Sequence, residues 1–229
     1  NCYVIRANGK IAIIDTGSGD TMGPTLGMPT KSLTEIDIDL PQVDTVLLTH
    51  MHPDHSNGLS DVNGKRLFPN AEIAVSEKDI DYWHDDSAMA KANENQRVRY
   101  FEGARFQIAP YMDRLKPAMG EVFPNVRAVD LSGHTPGHTG YMIESQNDSL
   151  LVWGDICHIP DIQVRRPEVT MVFDTDPEAA INTRRRTFDM VSSDKVLVAG
   201  MHLHFPGFSH VIANKDGYRM VPESWAFTT

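Results

Sequence analysis

Basic residues are scarce in this chain. Its 21 Lys and Arg stand against 31 Asp and Glu, a formal net charge of −10. Nucleic acid is therefore not an expected partner, because phosphate binding needs a cationic face. The one local exception, Arg184-Arg185-Arg186, reads as a solvated helix face. Cysteine is nearly absent. Cys2 and Cys157 make no disulfide framework in 229 residues, and they neither require nor forbid an oxidising compartment. No apolar run reaches the roughly eighteen residues of a membrane span, so no membrane partner is expected. No signal peptide is visible. The chain opens at Asn1, without Met and almost directly on a strand-like run, so preceding residues are expected to be missing and the compartment stays unassigned. There is no repeat at a period of roughly 20–50 residues and no low-complexity linker. Residues 1–229 are read as a single domain, a length sufficient for one proper core.

The elements that are present follow from local chemistry. Tyr3-Val4-Ile5 and Ile11-Ala12-Ile13-Ile14 flank Asn8-Gly9, a hairpin signal. Residues 17–30 read as a loop, and residues 32–40 as a short helix. Buried strands are expected at residues 45–48 and 72–75. Ser76 with acidic residues after it opens a helical stretch that continues, with breaks, to about Leu115. Strands return at residues 126–129, 141–144 and 150–153. A helix begins at Asp176-Pro177, and strands at 196–199, 210–213 and 218–221 close the pattern. Helices and strands do not alternate strictly, which predicts an α+β or layered fold and not a doubly wound parallel sheet.

The chemistry concentrates in Thr49-His50-Met51-His52-Pro53-Asp54-His55. Three of the chain's ten histidines fall in six positions, just past a buried strand and before the turn Ser56-Asn57-Gly58. His50 and His52 face one side of an extended stretch. Pro53 then redirects the backbone, so Asp54 and His55 face a second point. Imidazole and carboxylate suit zinc, manganese, iron or cobalt, and not calcium. One loop cannot enclose two ions, so further donors are expected past other strand ends. The loop holding His134 and His138, then Gly154-Asp155 and Gly200-Met201-His202, stand in such positions.

The ordered set His50-x-His52-x-Asp54-His55, His138, Asp155 and His202, with Asp15-Thr16-Gly17 upstream, resembles the metallo-β-lactamase superfamily over nearly the whole chain. The resemblance implies an αββα sandwich with the metals in a groove at one edge. It implies that His50, His52 and His138 hold one divalent ion, that Asp54, His55 and His202 hold the other, and that Asp155 bridges them. Zinc is the foremost choice of metal, with manganese, iron or cobalt as alternatives. A bridging Asp155 resembles the lactonase, glyoxalase II and phosphotriesterase branches. The tail from Gly200 to His210, with Phe68-Pro69-Asn70 and Gly154-Asp155-Ile156-Cys157-His158, is similar to the methyl parathion hydrolase group.

These features imply a hydrolase acting on a small ester-like substrate: a lactone, a carboxylic ester or an organophosphate triester. A hydroxide bridging two ions would be the nucleophile. Asp54 and Asp155 carry the catalytic expectation, and Asp54 also serves as a proton shuttle. Asp15 is expected behind the ligands, accepting hydrogen bonds from their loops. His134, His158, His204 and His210 are read as hydrogen-bonded or structural, His84 as exposed, and Cys157 as a buried thiol. Tyr82, Trp83, Tyr100, Phe101 and Phe106 are either helix packing or the wall of an apolar cleft. Trp83, which matches an aromatic pocket position in the methyl parathion hydrolase group, and Phe101 are the pocket candidates. The alternatives are β-lactam or thioester hydrolysis, a nuclease, which the charge opposes, and a metal-binding module without catalysis. A homodimer is left open.

Overall fold

The computed structural model describes residues 1–225, in two compact units: Cys2–Pro124, and the chain from Asn125 together with Asn1. In the first unit Asn8 and Gly9 take φ of 51° and 74°, which the tight turn of a right-twisted hairpin requires. Strands β1 (Tyr3–Ala7) and β2 (Lys10–Ile14) pair antiparallel across it, with Ala7 opposite Lys10. Strands β3 (Thr45–Leu47), β4 (Glu72–Val75) and β5 (Leu115–Pro117) add in parallel, in the order β1-β2-β3-β4-β5.

Parallel neighbours need crossovers, and helices supply them. They are Pro29–Glu35, the single turn Pro53–Ser56, and a series between Glu77 and Tyr111. The helix expected over 32–40 lies earlier. Pro29 presets its first turn, and the chain leaves it through Asp37 at a φ of 58°. The strands bury Ile13, Val46, Ile73 and Val75 against Leu33, Phe68, Trp83, Phe101, Ile108 and Tyr111. Strand β6 (Glu121–Phe123) follows.

The second unit is mostly antiparallel. Its strands β7 (Val126–Asp130), β8 (Thr139–Ser145), β9 (Asp148–Val152), β10 (Leu197–Ala199), β11 (Phe208–Asn214) and β12 (Gly217–Pro222) lie in the order β12-β11-β10-β9-β8-β7. The exception is the parallel pair β9–β10, whose crossover contains the helix Pro177–Ser193. Asp176 caps that helix by accepting from the Ala179 amide at 3.0 Å. Its buried residues are Ala180, Thr183, Arg184, Thr187, Phe188 and Val191, a stripe at helical spacing. Phe188 and Val191 pack with Leu151, Trp153, Val198 and Val211.

That stripe corrects one expectation. Arg184 is not solvated: it is 1% exposed, while Arg185 and Arg186 are exposed. Two sheets with interspersed helices give the mixed α+β content that the sequence predicts.

Candidate metal centre

In the first unit the metal-type donors stand immediately past β3. Asp15 begins their support. It holds a left-handed backbone (φ 59°), which a short polar side chain tolerates, and its amide donates to Leu47 O at 3.0 Å. Its carboxylate accepts from the Thr49 amide and the Thr49 hydroxyl, both at 2.7 Å, and lies 2.7 Å from His55 Nδ1. Asp15 thus accepts hydrogen bonds from the loop of residues 49–55, and its pairing with His55 Nδ1 leaves Nε2 as the ring's other nitrogen.

His52 is extended (ψ 157°), and Pro53 opens a helical turn that places Asp54 and His55. Gly58 lets that turn sit against the Asp15-Thr16 bend, since a Cβ there would lie 2.1 Å from Thr16 O. The His50 ring is 4.6 Å from that of His52 and 4.0 Å from that of His55, centroid to centroid. His55 Nε2 is 3.4 Å from Asp54 Oδ2. The three imidazoles are buried, while the Asp54 side chain is 37% exposed. Asp79, which sequence reasoning missed, is fully buried and accepts from the Met51 amide at 3.0 Å and from Trp83 Nε1 at 3.4 Å. Its place in the first turn of a helix resembled ordinary capping chemistry and gave no hint of this contact.

In the second unit three imidazoles converge on one oxygen. Asp155 Oδ2 lies 3.3 Å from His134 Nε2, 3.0 Å from His158 Nε2 and 3.3 Å from His202 Nε2. His134, Asp155 and His158 offer donor atoms within 4.8 Å of one another. His134 Nδ1 lies 2.7 Å from Asp174 Oδ1. Burial opposes a proton on His134, but hydrogen bonds and charge from Asp155 and Asp174 outweigh it and raise the ring's pKa. Burial dominates at His158, whose pKa is lowered despite the hydrogen bond to Asp155. A buried cluster with two carboxylates favours positive charge. A donor set of imidazoles around a carboxylate fits zinc or another first-row divalent ion.

His138 departs from expectation. Its Nε2 accepts from the Asp155 amide at 2.9 Å, and Nδ1 lies 3.0 Å from Leu131 O, so both ring nitrogens serve the backbone. A ring whose accepting lone pair is already engaged has none for a metal. His134, expected to be a loop histidine, has Nε2 facing the Asp155 carboxylate instead. Gly133 permits this placement. It sits at φ 140°, and a Cβ would approach the Ala180 amide nitrogen to 2.5 Å.

The pocket candidates are buried aromatics. Trp83 and Phe101 are each 3% exposed and pack with each other, their ring centroids 4.9 Å apart, and the Trp83 ring also meets that of His52 edge-on at 5.5 Å. Tyr100 is half-buried, and its ring meets that of His52 edge-on at 5.0 Å. Burial and then the Asp54 charge raise its hydroxyl pKa. His84 and His204 are exposed, and His210 pairs with Glu223 at 3.5 Å.

Cys157 is fully buried, as expected, and burial pushes its thiol up to about 12. Burial and the Asp15 charge push Cys2 up to about 11. At pH 8 the Cys157 thiolate population thus falls about 10³-fold below that of an ordinary thiol. Ellman's reagent at pH 8 is expected to spare both thiols in the folded protein over minutes and to titrate both after unfolding. Fast release of an equivalent from folded protein would contradict this.

The metallo-beta-lactamase superfamily model matches residues 1–202, and the chain belongs to that family. Among solved structures, hydrolase AbOPH of the beta lactamase superfamily is 32% identical with a TM-score of 0.92, over 99% of this chain and 80% of that one. The dizinc quorum-quenching lactonase AidC, solved with its product N-hexanoyl-L-homoserine, is 25% identical with a TM-score of 0.90, over 98% and 79%. The lactamase-like protein ptaB of Pestalotiopsis fici is 29% identical over 64% of this chain and 36% of its own length. The atrochrysone carboxyl ACP thioesterase dmxR1 of a Cryptosporiopsis species is 28% identical over 64% and 35%. The matched part is thus about a third of these two curated relatives.

Proposed function

We propose that the chain is a metal-dependent hydrolase with a two-ion centre, acting on a small ester-like substrate: a lactone, a carboxylic ester or an organophosphate triester. In this reading residues 1–229 work as one catalytic domain. The observation that carries it is the convergence of three imidazoles on the Asp155 carboxylate, in a chain that also holds the His50, His52, Asp54 and His55 cluster. Family membership and the likeness to a dizinc lactonase support it.

The donors would be His50, His52, Asp54 and His55 in the first unit, and His134, Asp155 and His202 in the second. Zinc suits this set best. Two such ions supply Lewis acidity toward a carbonyl or phosphoryl oxygen, and make water acidic enough to react near neutral pH. The protein's own groups do the rest. Asp15 holds the His55 ring by Nδ1, which would leave Nε2, 3.4 Å from Asp54 Oδ2, to serve as the donor. Asp54, the most exposed carboxylate of the set, would take a proton and return it to the leaving oxygen. Tyr100 offers an aromatic edge to the apolar part of a substrate, the role expected of Trp83 and Phe101.

A second reading, thioester cleavage, draws on the thioesterase name of one relative. The two readings separate in one panel on zinc-reconstituted protein: an N-acyl homoserine lactone, an aryl ester, an aryl phosphotriester, an acyl thioester and nitrocefin. We expect one of the first three to exceed the thioester and nitrocefin by at least about tenfold in kcat/KM, a margin of roughly 1.4 kcal/mol in transition-state binding. Dominant thioester or nitrocefin turnover would reverse the assignment. A filled site with no turnover of any of them would leave only a metal-binding module.

A further inference from the structure

We propose that Asp174 is the positioning residue that makes His134 a metal donor. The inference rests on the metal centre proposed above.

The two side chains are 3% and 0% exposed, and Asp174 Oδ1 lies 2.7 Å from His134 Nδ1. The other carboxylate oxygen is also committed, because Asp174 Oδ2 accepts from the Met171 amide at 2.7 Å. The carboxylate therefore cannot rotate away from the ring without losing a second buried hydrogen bond. The backbone reinforces the pairing. The Thr175 amide donates to His134 O at 2.9 Å, and the Asp176 amide to Gly133 O at 3.1 Å. Residues 174–176 thus run alongside the His134 loop and carry the carboxylate with them. Phe173 closes one side of the ring, edge-on at 5.8 Å between centroids.

The consequence is a choice of nitrogen. A carboxylate on Nδ1 holds the proton there and leaves the lone pair on Nε2. That atom is the one 3.3 Å from Asp155 Oδ2. A lone pair and a carboxylate oxygen facing each other at that distance bind a shared cation well. Without Asp174 the ring is free to move its proton to Nε2 and donate it to Asp155, which removes the lone pair from the centre. Nothing in the local sequence Val172-Phe173-Asp174-Thr175 marks this role, since an Asp just before a helix cap reads as turn chemistry.

The test is zinc affinity measured by chelator competition on wild-type protein, Asp174→Ala and Asp174→Asn, with the melting temperature of each metal-free protein as a control. We expect Asp174→Ala to bind one of the two zinc ions about 10–100-fold more weakly. Asp174→Asn should recover part of the loss, because its carbonyl oxygen still accepts from Nδ1. Wild-type affinity in folded Asp174→Ala would overturn the role of Asp174 and leave the centre standing. So would an Ala variant that only melts lower without binding zinc more weakly. Wild-type protein that takes up no zinc would overturn the centre itself, and this inference with it.

Discussion

Replacing Asp155 with Ala is expected to remove bound metal and hydrolysis together. In the second unit this carboxylate is the point on which His134, His158 and His202 converge. Its amide also donates to His138 Nε2, so its backbone position is fixed independently of the side chain. The Ala variant should therefore fold with its loop in place and lose one function only. Ion-derived stabilisation of a transition state is worth several kcal/mol, and about 4 kcal/mol corresponds to roughly a 10³-fold fall in kcat/KM. Metal analysis after gel filtration should find fewer than two ions per chain. Asp155→Asn separates charge from shape: it keeps the side-chain volume and should lose nearly as much. Two retained ions with wild-type rates in either variant would refute the assignment.

The second large effect is on stability. Arg184→Ala is expected to destabilise the protein by roughly 3–5 kcal/mol. The guanidinium donates Nε to Ile156 O at 2.6 Å, and Nη1 to Pro167 O at 2.7 Å and Val169 O at 2.9 Å. These bonds tie the helix Pro177–Ser193 to the segment that follows Asp155. Gln163, fully buried, braces the same segment: its Oε1 accepts from the His158 and Ile159 amides, and its Nε2 donates to Val169 O. Truncating Arg184 strands three carbonyls, at about 1–3 kcal/mol each before any water enters. In a chain of this size that lowers the melting temperature by about 10 °C. Arg184→Lys should rescue little, because a single ammonium cannot reproduce a planar fork over carbonyls on two sides. Arg185→Ala, on the exposed face, should stay within about 0.5 kcal/mol of wild type. Calorimetry of the metal-free proteins decides it, and a melting point for Arg184→Ala within about 2 °C of wild type would be incompatible with the account.

These residues also mark where the sequence was legible. Asn8-Gly9 announced the hairpin, and Asp176-Pro177 the long helix, because turn and cap chemistry is local. The cluster from His50 to His55 was legible because Pro53 has one backbone effect wherever it stands. The proposed preference for His134 over His138 was not, because both lie in one Gly/Pro-rich loop. What separates them is tertiary: Leu131 O and the Asp155 amide claim one ring, and Asp174, forty residues away, lies against the other. Trp83 and Phe101 carried an aromatic signal that serves core and pocket equally well: both are buried in the core cluster, and Trp83 also meets the His52 ring. Arg184 was readable in principle. It shares helical spacing with Ala180, Thr187, Phe188 and Val191, so a residue-by-residue projection of the helix puts it on the inner face, whereas the triplet taken as a block does not.

The proposed hydrolysis depends on two bound ions. The direct measurement is a zinc titration of metal-free protein, following turnover of the best substrate from the panel. Activity should be near zero without metal and rise to a plateau at two equivalents per chain. Full activity in the metal-free protein, or two tightly bound equivalents that bring no turnover, would contradict it.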